Sequence, residues 1–336
     1  MTIVPPLKSQ GIKTKLVGWI RDCSAQQPFE RWVEPFMGTG VVAFNVQPRT
    51  ALLCDSNPHL IRFYKAIQTG KITADKARRF LTDEGAKLLQ TEDEHYYVVR
   101  DRFNSGADPL DLLFLSRSCF NGMMRFNRCG GFNVPFCRKA NRFAQALVTR
   151  IAHQIAAVSH VIGKGDYAFK HQAFQETLSE VDKGDFVYCD PPYIGRHVDY
   201  FNSWSEEEEK RLHDLLMSAN TPFIRSTWLR NRYRVNNFVF SLWNNCSILV
   251  KKHFYHVGAR EDNRNTVSEA LLVNFQLEKA VPVKDLKIDN ISLAKETMGG
   301  TELQIRMADE IVDRFENALK PSTLPLTDRI GKRLMG

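Results

Sequence analysis

The sequence predicts an α/β fold: a doubly wound sheet with a C-terminal antiparallel hairpin and an inserted, mostly helical domain. Three observations predict it. Residues 29–55 read as strand, glycine turn, helix and strand, a βαβ opening with parallel strands. Helix-like, charged segments fill residues 73–141, after which strand-like runs return at residues 167–169, 185–189 and 222–224. Two apolar runs then flank a polar loop and predict a closing hairpin, at residues 247–250 and 270–273.

This order of segments divides the chain into three parts. We expect one main domain from residues 1–70 and 160–280, an inserted domain from residues 71–159, and a helical extension over residues 281–336. In the extension, apolar residues recur every four positions and form one stripe on a helix, at Leu303, Met307, Ile311, Phe315 and Leu319. Docking onto the core and self-association both explain such a stripe, so the oligomeric state stays open.

Composition bounds the class of protein. The 336 residues are 43% apolar and 25% charged, which argues against global disorder. Lys and Arg number 46 against 38 Asp and Glu, and the resulting charge of +8 favours a polyanionic partner. The seven cysteines are odd in number and have no paired-ligand spacing, as is typical of reduced thiols. With no signal pattern and no membrane-length apolar run, we expect a soluble, cytoplasmic protein without a membrane partner.

The first candidate site is the turn Glu34-Pro35-Phe36-Met37-Gly38-Thr39-Gly40, which follows a predicted strand. Glycines at a strand-to-helix turn let the backbone approach a ligand closely, and Asp55, at the end of the next strand, can accept bonds from ribose hydroxyls. The third glycine of the dinucleotide fingerprint is absent. A nucleotide-like ligand and a plain tight turn therefore both remain possible from this motif alone.

The second candidate site is Asp190-Pro191-Pro192-Tyr193, directly after the apolar strand of residues 186–189. The two prolines end the strand, so Asp190 and Tyr193 are displayed on a stiff turn. That turn lies at the carboxyl edge of the predicted sheet, where open α/β folds bind ligands. An aspartate-capped turn with a packing tyrosine is the structural alternative.

This second motif suits methyl transfer to the exocyclic amine of adenine. The N6 lone pair is delocalised into the ring, so the amine is a poor nucleophile. The Asp190 carboxylate and the Pro191 carbonyl can accept hydrogen bonds from its two N–H groups and favour a pyramidal nitrogen, while Tyr193 can stack on the purine. Direct transfer of a methyl group to this nitrogen requires no metal and no covalent enzyme intermediate. Because the amine lies inside the duplex, the base must first be flipped out, at a cost of a few kcal/mol.

In this order, the two motifs resemble the Dam-like (alpha-group) DNA adenine-N6 methyltransferases, over roughly residues 5–275. The resemblance implies a Rossmann-like methyltransferase sheet, S-adenosylmethionine as cofactor and double-stranded DNA as partner. It makes the main domain catalytic and the inserted domain the target-recognition domain. Residues 8–15 and 194–200 are most similar to the subgroup of the EcoRV modification methylase, which implies a GATATC or GATC-like target. A partner restriction endonuclease would follow only from genetic linkage.

The resemblance also implies site residues. Cofactor contacts fall on Ser9, Lys13, Phe36, Gly38, Gly40, Asp55 and Asp190. Lys13 occupies the family's lysine position, whereas Ser9 stands where many relatives have an aromatic residue. Many relatives also have an acid that contacts the cofactor's adenine where this chain has Gln172-Ala173-Phe174.

A segment rich in Arg, Asn, Gly and Phe, residues 117–142, matches the family's DNA-reading hairpin. Arg125 suits the major-groove edge of guanine, a contact worth roughly 1–3 kcal/mol of discrimination. Phe120 and Asn121 suit the space that a flipped base leaves. The implied DNA contacts are Arg117, Phe120, Asn121, Met123, Arg125, Asn127, Pro135 and Arg138. An arginine-rich loop that is merely solvated is the alternative reading.

Other signals are weaker. His253 and His256 lack a cysteine or acid at ligand spacing, so we expect no metal site. Trp228 and three nearby arginines follow a predicted strand that ends at Ser226-Thr227, and they suit either contact with the flipped base or its strand, or surface packing; the three arginines are Arg230, Arg232 and Arg234. Arg260 and Arg264 suit either contact with the DNA backbone or solvated surface. A methyltransferase acting on RNA or on a protein glutamine amide is one rival function, and a DNA-binding protein without activity is another. A methyltransferase acting on RNA or glutamine more often has Asn at the position of Asp190. A DNA-binding protein without activity would be expected to have lost Asp190 or Tyr193, and this sequence has both.

Overall fold

The computed structural model describes residues 2–9, 11–91, 93–127, 129–193, 204–230, 235–254 and 266–285. The helices in this part of the chain are α1 Val17–Ser24, α2 Ala43–Val46, α3 Pro58–Gln68, α4 Ala74–Thr91, α5 Asp93–Gly106, α6 Pro109–Ser118, α7 Gln145–Lys164, α8 Phe174–Ser179, α9 Glu206–Ser218 and α10 Phe238–Ser241. The strands are β1 Arg31–Glu34, β2 Thr50–Asp55, β3 Asp166–His171, β4 Asp185–Cys189, β5 Phe223–Arg230, β6 Ser247–Phe254, β7 Thr266–Val273 and β8 Val281–Pro282.

All eight strands form one sheet, in the order β3-β2-β1-β4-β5-β7-β6-β8. Strands β1 to β5 pair in parallel, whereas β7 runs antiparallel to both β5 and β6. This arrangement confirms the predicted doubly wound sheet with an antiparallel C-terminal part. The order has one detail that the sequence does not predict, because β7 enters the sheet between β5 and β6.

The βαβ opening forms where the sequence predicts it. Trp32 pairs with Ala51 across the parallel strands β1 and β2. The helix between them is short, because Gln47 adopts a left-handed conformation with φ of 54° and ends α2. The next helix, α3, begins at an Asn57 cap whose side chain accepts a hydrogen bond from the His59 amide, at 3.0 Å.

Apolar residues bury both faces of the central strands, as the near-continuous apolar runs require. On one face Trp32 stacks on Phe186 at 5.1 Å, and α1, α3 and α7 cover these rings. On the other face Val33 and Val187 pack with residues of α8, α9 and α10. The successive residues Trp32 and Val33 thus point to opposite layers, as the period of two in a strand dictates.

Helices α4 to α7 lie between β2 and β3 in the chain, in the region predicted as an insertion. Their apolar residues belong to the same core as one face of the sheet; Leu81, Leu112 and Ile155 are examples. A polar network ties α4 to α6, since the exposed Arg102 of α5 donates to the buried Asp111 and also bonds the buried Glu84 at 3.0 Å. The 20-residue helix α7 is not anticipated from the sequence. The division of the chain into domains stays a prediction.

Strand β5 is longer than expected. The sequence places its end at Thr227, but Trp228 pairs with Glu269 and Arg230 with Ser268, with a register shift between them. Trp228 is therefore a buried strand residue, and its placement after the strand is wrong. Several residues singled out above lie outside the described part of the chain: residues 194–200, Arg232, Arg234, His256, Arg260, Arg264 and the stripe of residues 303–319. None of the described helices is long and apolar enough to span a membrane.

Candidate active site at the switch point of the sheet

Both sequence motifs lie where the winding of the sheet reverses. From β1 the chain moves through β2 to β3 on one side, and β4 then returns to the other side of β1. The register pairs Val33 of β1 with Val187 of β4, so the turns that follow these two strands are neighbours. Adjacent strands lie about 4.8 Å apart. A crevice at this switch point is the usual ligand site of doubly wound folds.

The glycine turn has the backbone that its sequence requires. Gly38 and Gly40 have φ of 50° and 69°, which disfavours any side chain. A Cβ on Gly40 would overlap the ring of Phe44, whereas a Cβ on Gly38 would meet no atom within 4 Å. The space beside Gly38 is therefore open to a ligand.

Asp55 holds this turn. Its Oδ2 accepts a bond from the Gly38 amide at 2.8 Å, and its Oδ1 accepts one from the Asn57 amide at 2.9 Å. Burial raises the pKa of Asp55, and these two amide bonds oppose the rise. The carboxyl thus braces the loop, and each oxygen keeps a second lone pair for a further donor. Its contact with a ribose stays a prediction.

Aromatic rings line the turn on one side. The half-buried Phe36 ring lies 5.3 Å from Phe174 and 5.5 Å from Trp204. Ala173 precedes α8, and its amide donates to the Glu176 carboxylate at 3.1 Å. Glu176 thus caps α8, and at the position where many relatives have an acid this chain has Gln172-Ala173-Phe174.

The corner after β4 brings three predicted site residues together. The ammonium of Lys13 lies 2.9 Å from Asp190 Oδ2, and the Lys13 side chain is only 6% exposed. The same ammonium lies 4.9 Å from the centre of the Tyr193 ring and donates to the Gly11 carbonyl at 3.3 Å. The N-terminal segment therefore contributes a cation to the site, as its resemblance implies. Ser9, earlier in this segment, is half-buried.

The two oxygens of Asp190 differ. Oδ2 is paired with Lys13, whereas Oδ1 is buried and has no hydrogen-bond partner among the described residues. Burial raises the pKa of Asp190, the Lys13 ammonium lowers it, and the charge of Glu269 raises it again. Lys13 thus favours the carboxylate form, which leaves one acceptor available at the end of β4.

Glu34 is a second buried carboxyl behind this corner. Burial raises its pKa to about 8, although a bond from the Trp32 indole nitrogen at 2.8 Å opposes the rise. The charge of Asp190 contributes to the same rise. At neutral pH the protonated form of Glu34 therefore predominates, which avoids a second negative charge near Asp190.

The corner also contains a carboxylate, Glu269, that no sequence pattern predicted. Glu269 of β7 is 1% exposed, and the hydroxyl of Tyr193 donates to its Oε2 at 2.6 Å. Glu269 directly precedes the apolar run of residues 270–273. The local sequence signal for Glu269 is its position directly before an apolar run. Its partner Tyr193, however, lies 76 positions away in sequence.

The predicted DNA-reading segment forms an antiparallel hairpin. Cys119 bridges Phe136, and Phe126 bridges Phe132. Asn127 closes the turn, since its side chain accepts from the amides of Cys129 and Gly131 at 3.0 and 2.9 Å. The structure thus assigns Asn127 a role in building the turn, and its DNA contact stays a prediction.

The outward residues of the hairpin include several predicted DNA contacts. Phe120 is 50% exposed, and Asn121 is exposed with a strained φ of 53°. Arg125 is half-buried and donates to Asn133 at 3.1 Å. Pro135 and Arg138 are exposed, and Met123 is half-buried.

Arg117 points inward instead. Its guanidinium donates to the Pro6 carbonyl and to the Gln154 side chain, both at 2.7 Å. Burial, together with the nearby charge of Arg142, lowers its pKa to about 10. Arg142 itself donates to the Arg117 carbonyl at 2.6 Å. These bonds brace the hairpin against the N-terminal segment and α7; contact of Arg117 with phosphate stays a prediction.

The acidic run of residues 206–209 forms the first turn of α9. Ser205 caps the helix, and Glu208 completes a capping box with it. Glu209, in contrast, is buried, pairs with Arg225 of β5 at 2.6 Å and accepts from the Trp243 indole at 2.9 Å. This ion pair fixes α9 to the sheet.

Comparison with known proteins identifies the family. The family model described as D12 class N6 adenine-specific DNA methyltransferase matches residues 9–257. The retron Ec67 DNA adenine methylase of Escherichia coli is 29% identical over 62% of this chain and 71% of its own length. Type II methyltransferase M.CviBI of Paramecium bursaria Chlorella virus NC1A is 31% identical, over 62% and 77% respectively.

Another relative is matched over less of its length. Type II methyltransferase M.FokI of Planomicrobium okeanokoites is 26% identical over 81% of this chain but only 43% of that protein. Among solved structures, the rRNA methyltransferase aviRa from Streptomyces viridochromogenes covers 81% of this chain and 88% of that chain. Its TM-score of 0.33 at 12% identity is too low to bear on the argument. The family match spans well over half of the residues and includes both motifs of the switch point. The chain belongs to the D12 class of N6 adenine-specific DNA methyltransferases.

Proposed function

We propose that the chain transfers a methyl group from S-adenosylmethionine to N6 of an adenine flipped out of duplex DNA. One observation carries the proposal. Asp190, at the carboxyl end of β4, keeps one buried oxygen without a described partner, while Lys13 neutralises the other. A buried acceptor that lacks a donor is costly, and an adenine amine would supply that donor.

The residues of the corner divide the work of activating the amine. The Asp190 Oδ1 and the Pro191 carbonyl accept hydrogen bonds from the two N–H groups of the amine and turn the nitrogen lone pair away from the ring. Pro192 limits the freedom of the turn, and Tyr193 stacks on the purine. Most of the rate enhancement then comes from orientation and fixed charges.

The residues at the glycine turn fit S-adenosylmethionine. The open space beside Gly38, the bend at Gly40 and the Asp55 carboxyl offer a backbone cradle with an adjacent acceptor. Phe36 offers an aromatic face for a sulfonium group, and Ser9 and Lys13 come from the segment that covers the site. When bound, the cofactor supplies a methyl group activated by its positive sulfur.

We further propose that the hairpin of residues 118–137 reads the target within the recognition domain of residues 71–159. Arg125 would contact a guanine edge, while Phe120 and Asn121 would occupy the space of the flipped base. Met123, Asn127 and Pro135 would lie along the groove, and Arg117 and Arg138 near phosphates. The proposed target is GATATC, or a GATC-like site.

The cellular setting of the enzyme is also a proposal. Relatives include enzymes named type II methyltransferases and a DNA adenine methylase of a retron. The proposed enzyme therefore acts in the cytoplasm, either with a genetically linked restriction endonuclease or as a solitary methylase. The catalytic domain would comprise residues 1–70 and 160–280.

Mapping the methylated position tests the proposal. The protein is incubated with labelled S-adenosylmethionine and a mixed-sequence duplex, and modified positions are then sequenced. We expect N6-methyladenine at one short sequence that contains GATATC or GATC. Parallel reactions with RNA of the same sequence and with protein extract are expected to incorporate no label. Label in RNA or in protein glutamine, with none in the duplex, would overturn the proposal.

A further inference from the structure

Glu269 occupies an unusual place for a carboxylate. It lies in β7, opposite Trp228 of β5 and Lys251 of β6, and is followed by buried apolar residues. Because β7 runs antiparallel to β5, the first half of β7 lies at the carboxyl edge of the parallel strands. Glu269 is thus buried at the same edge of the sheet as Asp190.

A charge buried at that depth requires compensation. Removing a carboxylate from water without partners costs several kcal/mol. The Tyr193 hydroxyl donates to Glu269 Oε2 at 2.6 Å, a length typical of hydrogen bonds to ionised acceptors. The Lys251 ammonium lies 5.9 Å from the centre of the Trp19 ring.

The bond constrains the ring of Tyr193 through its hydroxyl. Tyr193 ends the proline turn, and its ring also lies 4.9 Å from the Lys13 ammonium. Anchoring the hydroxyl at one end and placing a cation near the ring restricts rotation of the side chain. The plane on which a flipped base would stack is therefore set before the base arrives.

We infer that Glu269 is a positioning residue for methyl transfer, acting through the Tyr193 hydroxyl to hold the ring against the target adenine. This inference rests on the proposed function and deepens it. Glu269 touches neither the transferred methyl nor the amine. Its contribution is to keep the adenine in line with Asp190, so its loss lowers the rate of transfer more than it lowers binding.

A double-mutant cycle separates positioning from a merely structural role. Tyr193→Phe removes the hydroxyl and keeps the ring, Glu269→Ala removes the acceptor, and Glu269→Gln keeps an uncharged acceptor. Ser268→Ala is the matched control, because it changes the neighbouring buried position of β7, whose side chain faces the opposite side of the sheet. Single-turnover rates are measured with S-adenosylmethionine and a duplex containing the mapped adenine, on the high-pH plateau where Asp190 is ionised in every variant.

We expect Glu269→Ala and Tyr193→Phe each to slow transfer about 10-fold to 100-fold, with dissociation constants for duplex and cofactor nearly unchanged. Glu269→Gln should recover part of the rate, and Ser268→Ala should match the wild type. In the Tyr193→Phe background, Glu269→Ala should add little further loss. The inference would be overturned if the rate losses of the two single variants multiplied in the double variant. It would also be overturned if Ser268→Ala slowed transfer as much as Glu269→Ala.

Failure of the inference is distinguishable from failure of the proposed function. If the wild-type protein methylates no adenine, the proposed function fails first. If the wild type is active and Glu269→Ala folds with an unchanged melting temperature and an unchanged rate, only the positioning role is refuted. If Glu269→Ala unfolds, Glu269→Gln with Tyr193→Phe provides the same cycle with less disturbance.

Discussion

The corner of the active site and the DNA-reading hairpin use charge in opposite ways. At the corner, Lys13 and Glu269 are buried and the Asp190 side chain is 21% exposed; Lys13 pairs with Asp190 at 2.9 Å, and Glu269 accepts from Tyr193 at 2.6 Å. In the hairpin, the residues proposed to contact DNA lie largely on the outside, as the exposed Phe120 and Asn121 do. The first region prepares its electrostatics before any ligand arrives, whereas the second presents groups whose partners are supplied by the ligand.

This difference predicts how each region responds to substitution. A buried, compensated group is coupled to its neighbours, so removing it affects both the rate of transfer and the titration of the groups that remain. An exposed group on a backbone frame is nearly independent, so removing it changes recognition and leaves the fold intact. The four predictions below test whether the two regions divide in this way.

The largest effect is expected at Asp190. Asp190→Ala removes the acceptor for the amine hydrogens, and methyl transfer should fall about 1,000-fold or more while duplex binding persists. Transfer is followed by label incorporation into the mapped duplex, and binding by fluorescence anisotropy. Turnover close to that of the wild type would remove Asp190 from the catalytic assignment.

The control for Asp190→Ala addresses Lys13. The alanine variant leaves a buried ammonium without its carboxylate, which costs stability for reasons unrelated to catalysis. The double variant Asp190→Asn with Lys13→Met removes both charges and keeps the shape of the corner. It should fold and bind the duplex, yet remain inactive.

The next effect is expected at Arg125 in the hairpin. Arg125→Ala should lower discrimination at one guanine of the target about 10-fold to 100-fold. Methylation rates on duplexes that differ at single positions measure this selectivity. An unchanged ranking of altered sites would show that another residue reads the guanine.

The contrast between the two regions also explains which features of the structure the sequence predicts and which it does not. The alternation of apolar residues and the two turn motifs are local signals, so the sheet, the glycine turn and the position of Asp190 follow from the sequence. The Tyr193 bond to Glu269 spans 76 positions and depends on β7 entering the sheet beside β5. No local pattern encodes that placement, and the same limit applies to the Glu209–Arg225 pair.

A smaller effect is expected from Lys13 on the pH profile. Transfer requires the Asp190 carboxylate, so the rate falls as pH falls through the pKa of Asp190. Burial raises that pKa and Lys13 lowers it. Lys13→Met should therefore move the acidic limb to higher pH.

Lys13→Arg is the matched control, because it keeps a cation at this position. Single-turnover rates from about pH 5 to 9 define the limb. The limb of Lys13→Arg should stay near that of the wild type, while a general loss of binding would lower the plateau without moving the limb. An acidic limb that is unchanged in Lys13→Met would mean that the ion pair does not set the titration of Asp190.

The smallest effect on methylation is expected from Arg117, which lies in the hairpin sequence but resembles the corner in its burial. Arg117→Ala removes bonds to the Pro6 carbonyl and Gln154, so it should lower the free energy of unfolding by about 1–3 kcal/mol. Arg138→Ala removes the same charge from an exposed position, and it should leave stability unchanged but reduce the salt dependence of duplex binding by about one unit of slope. Thermal unfolding and binding titrations at several salt concentrations distinguish the two. A smaller salt slope in Arg117→Ala without any loss of stability would show that Arg117 acts through a phosphate contact alone and does not brace the hairpin.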